Sequence, residues 1–164
     1  MFTRRQFTTT SLAAAASLTT FGQMVRAEEK SMSFEITKTD ADWKAQLSPE
    51  AYRVLRKHGT ERAGTSPLDK TYTPGTYLCA GCDLPLFASE TKYDSGTGWP
   101  SFYQPLDNAI GTSIDKSWFT VRTEVHCRRC GGHLGHVFED GPQPTGLRYC
   151  MNGVALKFIP KAGS

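Results

Sequence analysis

The chain has 164 residues, of which 38% are hydrophobic and 21% charged. This length suits one domain, and the composition excludes a fully disordered chain, because enough apolar residues are present to form a core. No run of 18 or more apolar residues occurs, which argues against a membrane-spanning helix. The net charge of +3 comes from residues 1–27, since without their three arginines the 16 remaining basic residues equal the 16 acidic ones. We therefore expect no nucleic-acid binding by the rest of the chain.

Residues 1–27 have the composition of an export signal. Arg4 and Arg5 precede an apolar stretch at 12–21 that is rich in Ala and Thr, and a cleavage site is predicted near Ala27. The arginine pair resembles a twin-arginine signal, whose machinery moves folded proteins. An ordinary secretory signal and an amphipathic N-terminal helix are the alternatives. The sequence thus predicts a partnership with the export machinery and a periplasmic or otherwise exported protein, in an oxidising compartment.

The pattern after the signal predicts a linker and then one domain. Residues 28–39 are polar and unpatterned and are interpreted as the linker, and the domain is placed at 40–160. Thr39 is predicted to cap a first short helix. Ser48 is predicted to cap a second, which would end just before Gly59.

From position 75 onward, short apolar runs are separated by Gly, Pro, Asp and Asn. This pattern predicts a mainly antiparallel β fold. The clearest strand is expected at 118–125, where apolar and polar residues alternate. Further strands are expected at 77–78, 84–87, 147–151 and 154–159.

Four of the five cysteines form two Cys-x-x-Cys pairs: Cys79, Cys82, Cys127 and Cys130. Two such pairs can supply four thiolates to a tetrahedral zinc ion, with Gly81 and Gly131 where the turns need unusual backbone angles. A site closed by four cysteines has no open position, so this zinc would be structural. Two disulfides or two redox-active dithiols are the alternatives in an exported protein.

Cys150 is left without a partner, and a lone thiol is often only a small buried residue. If its strand continues to position 152, the side chains of Arg148 and Asn152 lie on the same face as the thiol. A nearby guanidinium lowers a thiol pKa, and an amide can hydrogen-bond a reacting group. This arrangement favours a thiolate nucleophile.

His133 and His136 directly follow the second cysteine pair. Because four thiolates are already available to a metal, we interpret these two histidines as acid/base groups. His58 and His126 have no such context and are interpreted as surface or packing residues. Asp140 is expected either to orient a histidine or to end a turn.

A glycine-rich loop at 96–100 presents Trp99. By itself this loop could be a plain turn over the core. A phosphate-binding loop is disfavoured, because no Lys follows and the glycine spacing does not match.

Together these motifs resemble the methionine-R-sulfoxide reductase family, also called the selenoprotein-R type. The resemblance covers about residues 40–160 and rests on the cysteine pairs and three longer motifs. These are GTGWPSF at 96–102, CRRCGGHLGHVFEDGP at 127–142 and RYCMN at 148–152. It implies a single mainly-β domain of two antiparallel sheets with a few short peripheral N-terminal helices. It also implies one structural Zn²⁺ held by the four paired cysteines.

The activity implied by the resemblance is that of a peptide-methionine (R)-S-oxide reductase, an oxidoreductase that repairs proteins under oxidative stress. Cys150 would attack the sulfoxide sulfur and be left as a sulfenic acid. His133 or His136, together with Asn152, would supply and position the proton for the leaving oxygen. Arg148 completes the catalytic set.

The resemblance also implies how substrate binds. Trp99 would form the apolar wall that receives the ε-methyl group, with Phe138 as a second contact. We expect the substrate to be oxidised methionine, in proteins or free, and the enzyme to be a monomer.

Thr97 stands where many family members carry a resolving cysteine. No thiol remains beyond Cys150 and the four predicted zinc ligands, so an external thiol is predicted to reduce the sulfenic acid directly.

Two other functions remain open at this point. One is a zinc-stabilised binding module in which Cys150 only packs, and the other is a thiol–disulfide oxidoreductase that uses a Cys-x-x-Cys pair.

Overall fold

The computed structural model describes residues 33–117 and 120–163. The predicted export signal lies outside the described residues, as do the first part of the predicted linker and residues 118 and 119. Within the described ranges, no helix is long and apolar enough to cross a membrane.

The first helix, α1, spans Asp40–Gln46 and begins as predicted at Thr39. The Thr39 hydroxyl accepts a hydrogen bond from the backbone N–H of Asp42, whose carboxylate in turn accepts one from the backbone N–H of Thr39. This reciprocal capping box satisfies two backbone donors that the helix leaves free. Trp43 is the buried residue of the helix and anchors it to the core.

The second helix, α2, spans Pro49–Lys57 and is capped by the Ser48 hydroxyl, which accepts a hydrogen bond from the N–H of Ala51 at 3.1 Å. The helix ends before Gly59, as predicted. The left-handed residue that closes it is His58, with φ of 52°. Histidine is one of the few residues enriched in this conformation. The reversal fixes the direction in which the His58 side chain leaves the helix.

Nine strands in the described residues form two antiparallel sheets. Their order is β2-β1-β9 in the smaller sheet and β3-β4-β8-β7-β6-β5 in the larger. The strands are β1 (Gly75–Cys79), β2 (Pro85–Ala88), β3 (Lys92–Tyr93), β4 (Ser101–Phe102), β5 (Ile110–Asp115), β6 (Arg122–Cys127), β7 (His133–Phe138), β8 (Arg148–Met151) and β9 (Leu156–Pro160). The predicted fold class, two antiparallel sheets with short N-terminal helices, is confirmed.

Each predicted strand differs from the observed one by a residue or more at one end or both. The strand expected at 118–125 begins only at Arg122, and Val121 before it is exposed. The strand expected at 154–159 begins only at Leu156, because Gly153–Ala155 form a short 3₁₀ helix. Strands β3, β4, β5 and β7 were not predicted, and in β7 the histidines and glycine obscure the apolar alternation.

The two sheets meet through a group of buried aromatic rings. Phe87 of β2 stacks on Phe102 of β4 at 4.3 Å between centroids, and Tyr77 of β1 contacts the same Phe102 edge-on at 4.9 Å. All three side chains are fully buried. Burial of each such ring contributes roughly 1.5–3 kcal/mol, so this cluster fixes the sheet that carries the site against the smaller sheet.

The described end of the predicted linker contacts the turn of the second cysteine pair. The backbone N–H of Ile36 donates to the carbonyl of Arg129 at 3.0 Å. The ring of Phe34 packs edge-on against His126 and lies so close to Gly131 that a Cβ there would overlap it. His126 is therefore a buried packing residue.

Candidate active site

The four paired cysteines form one cluster at the ends of β1 and β6. Their ligand atoms all lie within 4.8 Å of one another, with Sγ–Sγ distances of 3.7 Å for Cys79–Cys130 and 3.5 Å for Cys82–Cys127. A tetrahedron with Zn–S bonds of about 2.3 Å has edges of about 3.8 Å. The cysteines are free thiols, and these separations are far longer than a disulfide bond of about 2.05 Å. The donor set therefore fits a structural zinc ion.

The two cysteine turns are built in the same way. In each, the residue after the second cysteine is left-handed, Asp83 with φ of 56° and Gly131 with φ of 66°. Its N–H donates back to the carbonyl of the first cysteine, Cys79 or Cys127, at 2.9 Å. Gly131 thus has the expected role. In the first turn that role belongs to Asp83, not to the predicted Gly81.

The N-terminal helices hold these turns in place. The Gln46 side-chain amide donates to the carbonyl of Gly81 at 2.7 Å, and the Arg56 guanidinium donates to the carbonyl of Cys130 at 2.9 Å. The same guanidinium lies 4.8 Å from the ring of Trp43. The helices are therefore part of the support of the zinc cluster.

Cys150 lies far from this cluster in sequence and in the middle of the larger sheet. In the strand register it is opposite Ser101 of β4 on one side and opposite His136 of β7 on the other, and His136 is opposite Glu124 of β6. Residues directly opposite in antiparallel strands share one face of the sheet. The thiol therefore has a hydroxyl and an imidazole as neighbours across the strands.

A cavity of about 150 Å³ opens over this row. It is smaller than the roughly 300–1,000 Å³ of drug-sized pockets, and it suits a single side chain. Its lining includes the predicted thiol, one predicted histidine and both predicted aromatic contacts. The lining residues are Thr60, Trp99, Arg122, Gly135, His136, Phe138, Cys150, Met151 and Asn152.

The environment of Cys150 has opposing effects on its thiol. Burial raises the pKa and is the largest effect, while a contact with the Thr97 hydroxyl at 3.9 Å and the charge of Arg148 lower it. Arg148 thus acts in the expected direction, but burial outweighs it. The net result is a pKa above the ordinary value of a cysteine thiol.

Arg148 is fixed by two partners. Its guanidinium donates two hydrogen bonds of 2.8 Å to the carboxylate of Asp140 and stacks over the ring of Phe138 at 4.4 Å. Asp140 therefore orients an arginine, and neither of the two roles expected for it from the sequence describes this contact. The pair holds one aromatic wall of the cavity in position.

Each predicted acid/base histidine has a carboxylate partner. His136 Nε2 lies 2.8 Å from Asp115 Oδ2, and His133 Nδ1 lies 2.7 Å from Glu124 Oε1. Burial lowers the pKa of His136, and the bond to Asp115 opposes this shift. The bond to His133 lowers the pKa of Glu124 to about 2, so that this buried carboxylate is charged at neutral pH.

Asn152 lies directly after β8, which ends at Met151, and its own backbone is still extended, with φ of −70° and ψ of 124°. It is buried, with its Oδ1 accepting from the N–H of Glu61 at 2.9 Å and its Nδ2 donating to the carbonyl of Leu134 at 3.0 Å. Asn152 still lines the cavity, where its remaining amide hydrogen is available to a ligand.

Glu61 joins several parts of the site and was not identified from the sequence. Its carboxylate accepts the backbone N–H groups of Gly153 and Val154 at 2.5 and 3.0 Å. Its carbonyl accepts the indole N–H of Trp99 at 3.2 Å. One buried residue thereby links the aromatic wall to the segment that follows Cys150.

Thr97 lies beside the thiol of Cys150, with 3.9 Å between Oγ1 and Sγ. Thr97 belongs to a chain of three hydroxyls, in which Ser95 Oγ lies 2.8 Å from Thr97 Oγ1 and 2.7 Å from Ser101 Oγ. Since Ser101 is also the cross-strand neighbour of Cys150, the thiol borders this chain at two points.

A larger cleft of about 780 Å³ elsewhere in the domain is lined by residues such as Arg53, Arg62 and Leu68. No cysteine or histidine is among its lining residues in the described part of the chain. Size alone therefore does not identify the reactive site, and the smaller cavity over Cys150 is the candidate.

Comparison with known proteins agrees with this geometry. The SelR domain family model matches residues 47–160. The peptide methionine sulfoxide reductase MsrB of Leptospira interrogans is 57% identical over 128 residues, which cover 77% of this chain and 98% of the relative. The MsrB of Agrobacterium fabrum is 54% identical over 127 residues, covering 77% and 94%. The chloroplastic peptide methionine sulfoxide reductase B1 of Arabidopsis thaliana is 55% identical over 120 residues, covering 73% and 59%. The chain belongs to the SelR domain family, the methionine-R-sulfoxide reductases that its cysteine, tryptophan and histidine motifs resemble.

Proposed function

We propose that this protein reduces methionine-R-sulfoxide with Cys150 as the nucleophile. The placement of Cys150 carries the proposal. Four of the five cysteines are gathered in the zinc cluster. The fifth lines a cavity of side-chain size together with an imidazole and two aromatic rings.

The walls of the cavity suit the end of an oxidised methionine side chain. The rings of Trp99 and Phe138 offer an apolar surface for the ε-methyl group, and Glu61 and Arg148 hold those rings in place. With the methyl group fixed there, an R sulfoxide directs its oxygen to the His136 side of the cavity. Selectivity for R over S follows from this placement.

The chemical step needs a proton to move from Cys150 to the substrate oxygen. Burial raises the pKa of Cys150, so the proton has to leave its sulfur as that sulfur bonds to the sulfoxide sulfur. His136 lies directly across the strands and lines the same cavity, which suits it to accept that proton and pass it to the oxygen. The resulting hydroxyl then moves from the substrate sulfur to the Cys150 sulfur, and the bond between the two sulfurs breaks with its electron pair left on methionine. Methionine leaves, and Cys150 remains as a sulfenic acid.

The two carboxylates hold the histidines ready for this transfer. Asp115 fixes His136, and Glu124 fixes His133, which lies behind it with 5.4 Å between ring centroids. Because His133 is not part of the cavity lining among the described residues, we assign the direct transfer to His136. His133 supports it, and Asn152 donates its free amide hydrogen to the substrate.

The enzyme is restored by an external thiol. Thr97 cannot form a disulfide with Cys150, and the four other thiols are ligands of the zinc cluster. One external thiol condenses with the sulfenic acid, releasing water and forming a mixed disulfide. A second thiol attacks that disulfide, returns Cys150 to the thiol and leaves as the oxidised reductant.

Reaction with each sulfoxide epimer in the absence of reductant tests this mechanism. We expect one methionine per protein from the R epimer, none from the S epimer, and a sulfenic-acid trap attached to Cys150 by mass mapping. The Cys150→Ser protein is the control and should form neither product. An intrachain disulfide of Cys150 with zinc retained would contradict the external-thiol step. Full activity of Cys150→Ser would show that Cys150 is not the nucleophile, and no methionine from either epimer would favour the binding-module alternative.

The protein is further proposed to be exported through the twin-arginine route and to act as a monomer on oxidised proteins outside the cytoplasm. The support is the composition of residues 1–27, with Arg4 and Arg5 ahead of an apolar stretch. Folding before export would let the cysteines take up zinc in a reducing compartment, before they meet oxidants. Cytoplasmic thioredoxin could not then be the reductant.

Cell fractionation of the full chain and of an Arg4→Lys/Arg5→Lys variant tests the route. Loss of export in the variant is expected for a twin-arginine signal, whereas an ordinary secretory signal tolerates lysine. Light scattering of the purified protein at several concentrations tests the monomer, and a mass that rises to that of a dimer would contradict it.

A further inference from the structure

A second cluster of metal-binding side chains lies apart from the four cysteines. It joins His58 at the end of α2, Glu124 in β6 and His133 in β7, whose ligand atoms all lie within 4.8 Å of one another. Both imidazole Nδ1 atoms approach the same oxygen, Glu124 Oε1, at 3.0 Å from His58 and 2.7 Å from His133. Two imidazole nitrogens from separate elements thus lie against one carboxylate oxygen.

Two of the three side chains in the cluster are buried, and the third is exposed to solvent. The side chains of Glu124 and His133 are only 11% and 3% exposed, and the second oxygen of Glu124 accepts the Ser113 hydroxyl at 2.5 Å. His58, by contrast, is 66% exposed. Its left-handed backbone directs it to Glu124 from the solvent side. An ion could therefore enter past His58 and meet two ligands that are already in place.

A cavity of about 390 Å³ adjoins the three donors. The Arg122 guanidinium also lines this cavity, but it is paired with Asp115 at 2.8 Å and therefore repels a bound cation only weakly. Lys116 lies at the exposed rim. The cavity leaves space for water to complete the coordination of an ion.

We propose that His58, Glu124 and His133 form a second, reversible site for a late first-row divalent ion such as Zn²⁺. Two imidazole nitrogens and one carboxylate oxygen with an open fourth position are a donor set typical of three-ligand zinc sites. Imidazole ligands disfavour Mg²⁺ and Ca²⁺. Unlike the four-cysteine site, this one is reached from solvent and exchanges its ion.

Occupancy of this site inhibits the reductase. This consequence rests on the proposed function, in which Glu124 fixes His133 behind His136. A bound ion coordinates the Glu124 oxygen and the His133 nitrogen, which face each other in the free protein. It also places a positive charge next to His136, which transfers the proton in the proposed reaction. Zinc in excess of the structural equivalent therefore acts as an inhibitor.

Direct titration tests the binding. Untagged protein that already holds its structural zinc is titrated with Zn²⁺ by calorimetry, and with Co²⁺ by absorption spectroscopy. We expect one further equivalent of each ion, with a cobalt spectrum that lacks thiolate charge-transfer bands. Failure to bind a further equivalent, or a spectrum of sulfur ligation, overturns the proposal.

The His58→Asn variant assigns the site. Asparagine also tolerates the left-handed conformation, so the helix end is kept while the imidazole is lost, and His58→Gly serves as a second variant if asparagine disturbs folding. Affinity for the further equivalent should fall by more than about tenfold, since even residues that only orient a ligand contribute roughly that much. The matched control is Glu90→Gln, which removes an exposed carboxylate elsewhere and should bind normally. Equal affinity in His58→Asn and the parent protein overturns the assignment.

Activity assays with added Zn²⁺ test the inhibition separately from the binding. The parent protein and Glu90→Gln should lose activity at the concentrations that fill the second site, while His58→Asn keeps its activity. Binding without inhibition overturns the regulatory part alone. Absence of any sulfoxide reduction before zinc is added would count against the proposed function and leave the binding result standing.

Discussion

The five thiols of this protein lie in two regions, and these regions give the cysteine side chain contrasting surroundings. At the zinc cluster, each cysteine lies at the end of a strand or in a tight turn, and the four face one another. At the cavity, Cys150 lies inside a strand, between a hydroxyl and an imidazole on neighbouring strands. Metal binding requires thiolates, whereas burial raises the pKa of the Cys150 thiol. The contrast teaches that backbone placement decides whether a cysteine joins the metal cluster or faces the cavity.

The largest effect in this comparison is expected from Cys127→Ser, at the zinc cluster. A structural zinc site contributes about 10–16 kcal/mol of apparent binding free energy, comparable to or larger than the roughly 5–15 kcal/mol stability of a typical domain. The variant should lose zinc and fail to fold, which metal analysis and circular dichroism measure. A folded Cys127→Ser protein with one zinc ion would show that the cluster is not structural.

Cys150→Ser is expected to lose activity but to keep its zinc and its stability. Activity should fall by about 10³-fold or more, as for loss of a nucleophile. Zinc content and melting temperature should stay close to those of the parent, because the two side chains are similar in size and no zinc ligand is changed. A large drop in melting temperature in this variant would mean that Cys150 is chiefly a packing residue.

Glu124→Gln is expected to lower stability by about 2 kcal/mol at neutral pH. The carboxyl pKa is about 2 in the folded protein, below its ordinary value of 4.5, so the contribution is present above pH 4.5 and is lost as the pH falls towards 2. The difference in melting temperature between the parent and the variant should therefore narrow over that range. A difference that does not change with pH would show that the carboxylate charge is not responsible.

Trp99→Ala is expected to reduce kcat/KM by about 30-fold, since the loss of an apolar contact of this size corresponds to roughly 2 kcal/mol. Trp99→Phe keeps a ring and should lose much less. Steady-state kinetics with both sulfoxide epimers measure the effect. Equal losses in the two variants would point to the indole hydrogen bond to Glu61 rather than to the apolar wall.

Thr97→Cys should produce the smallest change in rate and the clearest change in mechanism. A thiol placed here starts about as close to Cys150 as the Thr97 hydroxyl, which lies 3.9 Å from its sulfur. An intramolecular partner acts at an effective concentration in the millimolar range or above. We expect a disulfide between the introduced thiol and Cys150 after one turnover, with zinc retained, and turnover with a dithiol about tenfold faster than in the parent. Thr97→Ser is the control and should form no disulfide.

Much of the fold could be predicted because its signals are local. Thr39 and Ser48 cap helices through atoms within three residues, and the two Cys-x-x-Cys pairs carry most of the zinc geometry in their own turns. The sequence did not reveal which residue takes the left-handed position, since in the first cysteine turn this is Asp83 and not the expected Gly81, and at the end of α2 it is His58. Their conformations depend on contacts with other elements.

The carboxylates of the site could not be predicted, because pairing between strands places them. Asp115 reaches His136 only when β5 lies beside β6 and β6 beside β7. Glu124 is one of the polar residues that alternate with apolar ones in the predicted strand, and nothing in that pattern indicates that its side chain is buried. The effect of burial on the thiol pKa could not be predicted for a similar reason, since burial is a property of the whole sheet and not of the RYCMN motif.

Because one row of side chains crosses the larger sheet at Cys150, enzyme activity depends on the pairing of β4, β8, β7 and β6. Glu124, His136 and Cys150 come from three successive strands, and Ser101 comes from β4, which precedes them in the chain. The row is complete only when all four strands are paired. All four zinc ligands also precede Cys150 in the order of synthesis. The fifth thiol therefore emerges when the metal ligands are already present on the chain, which limits its opportunity to compete for zinc.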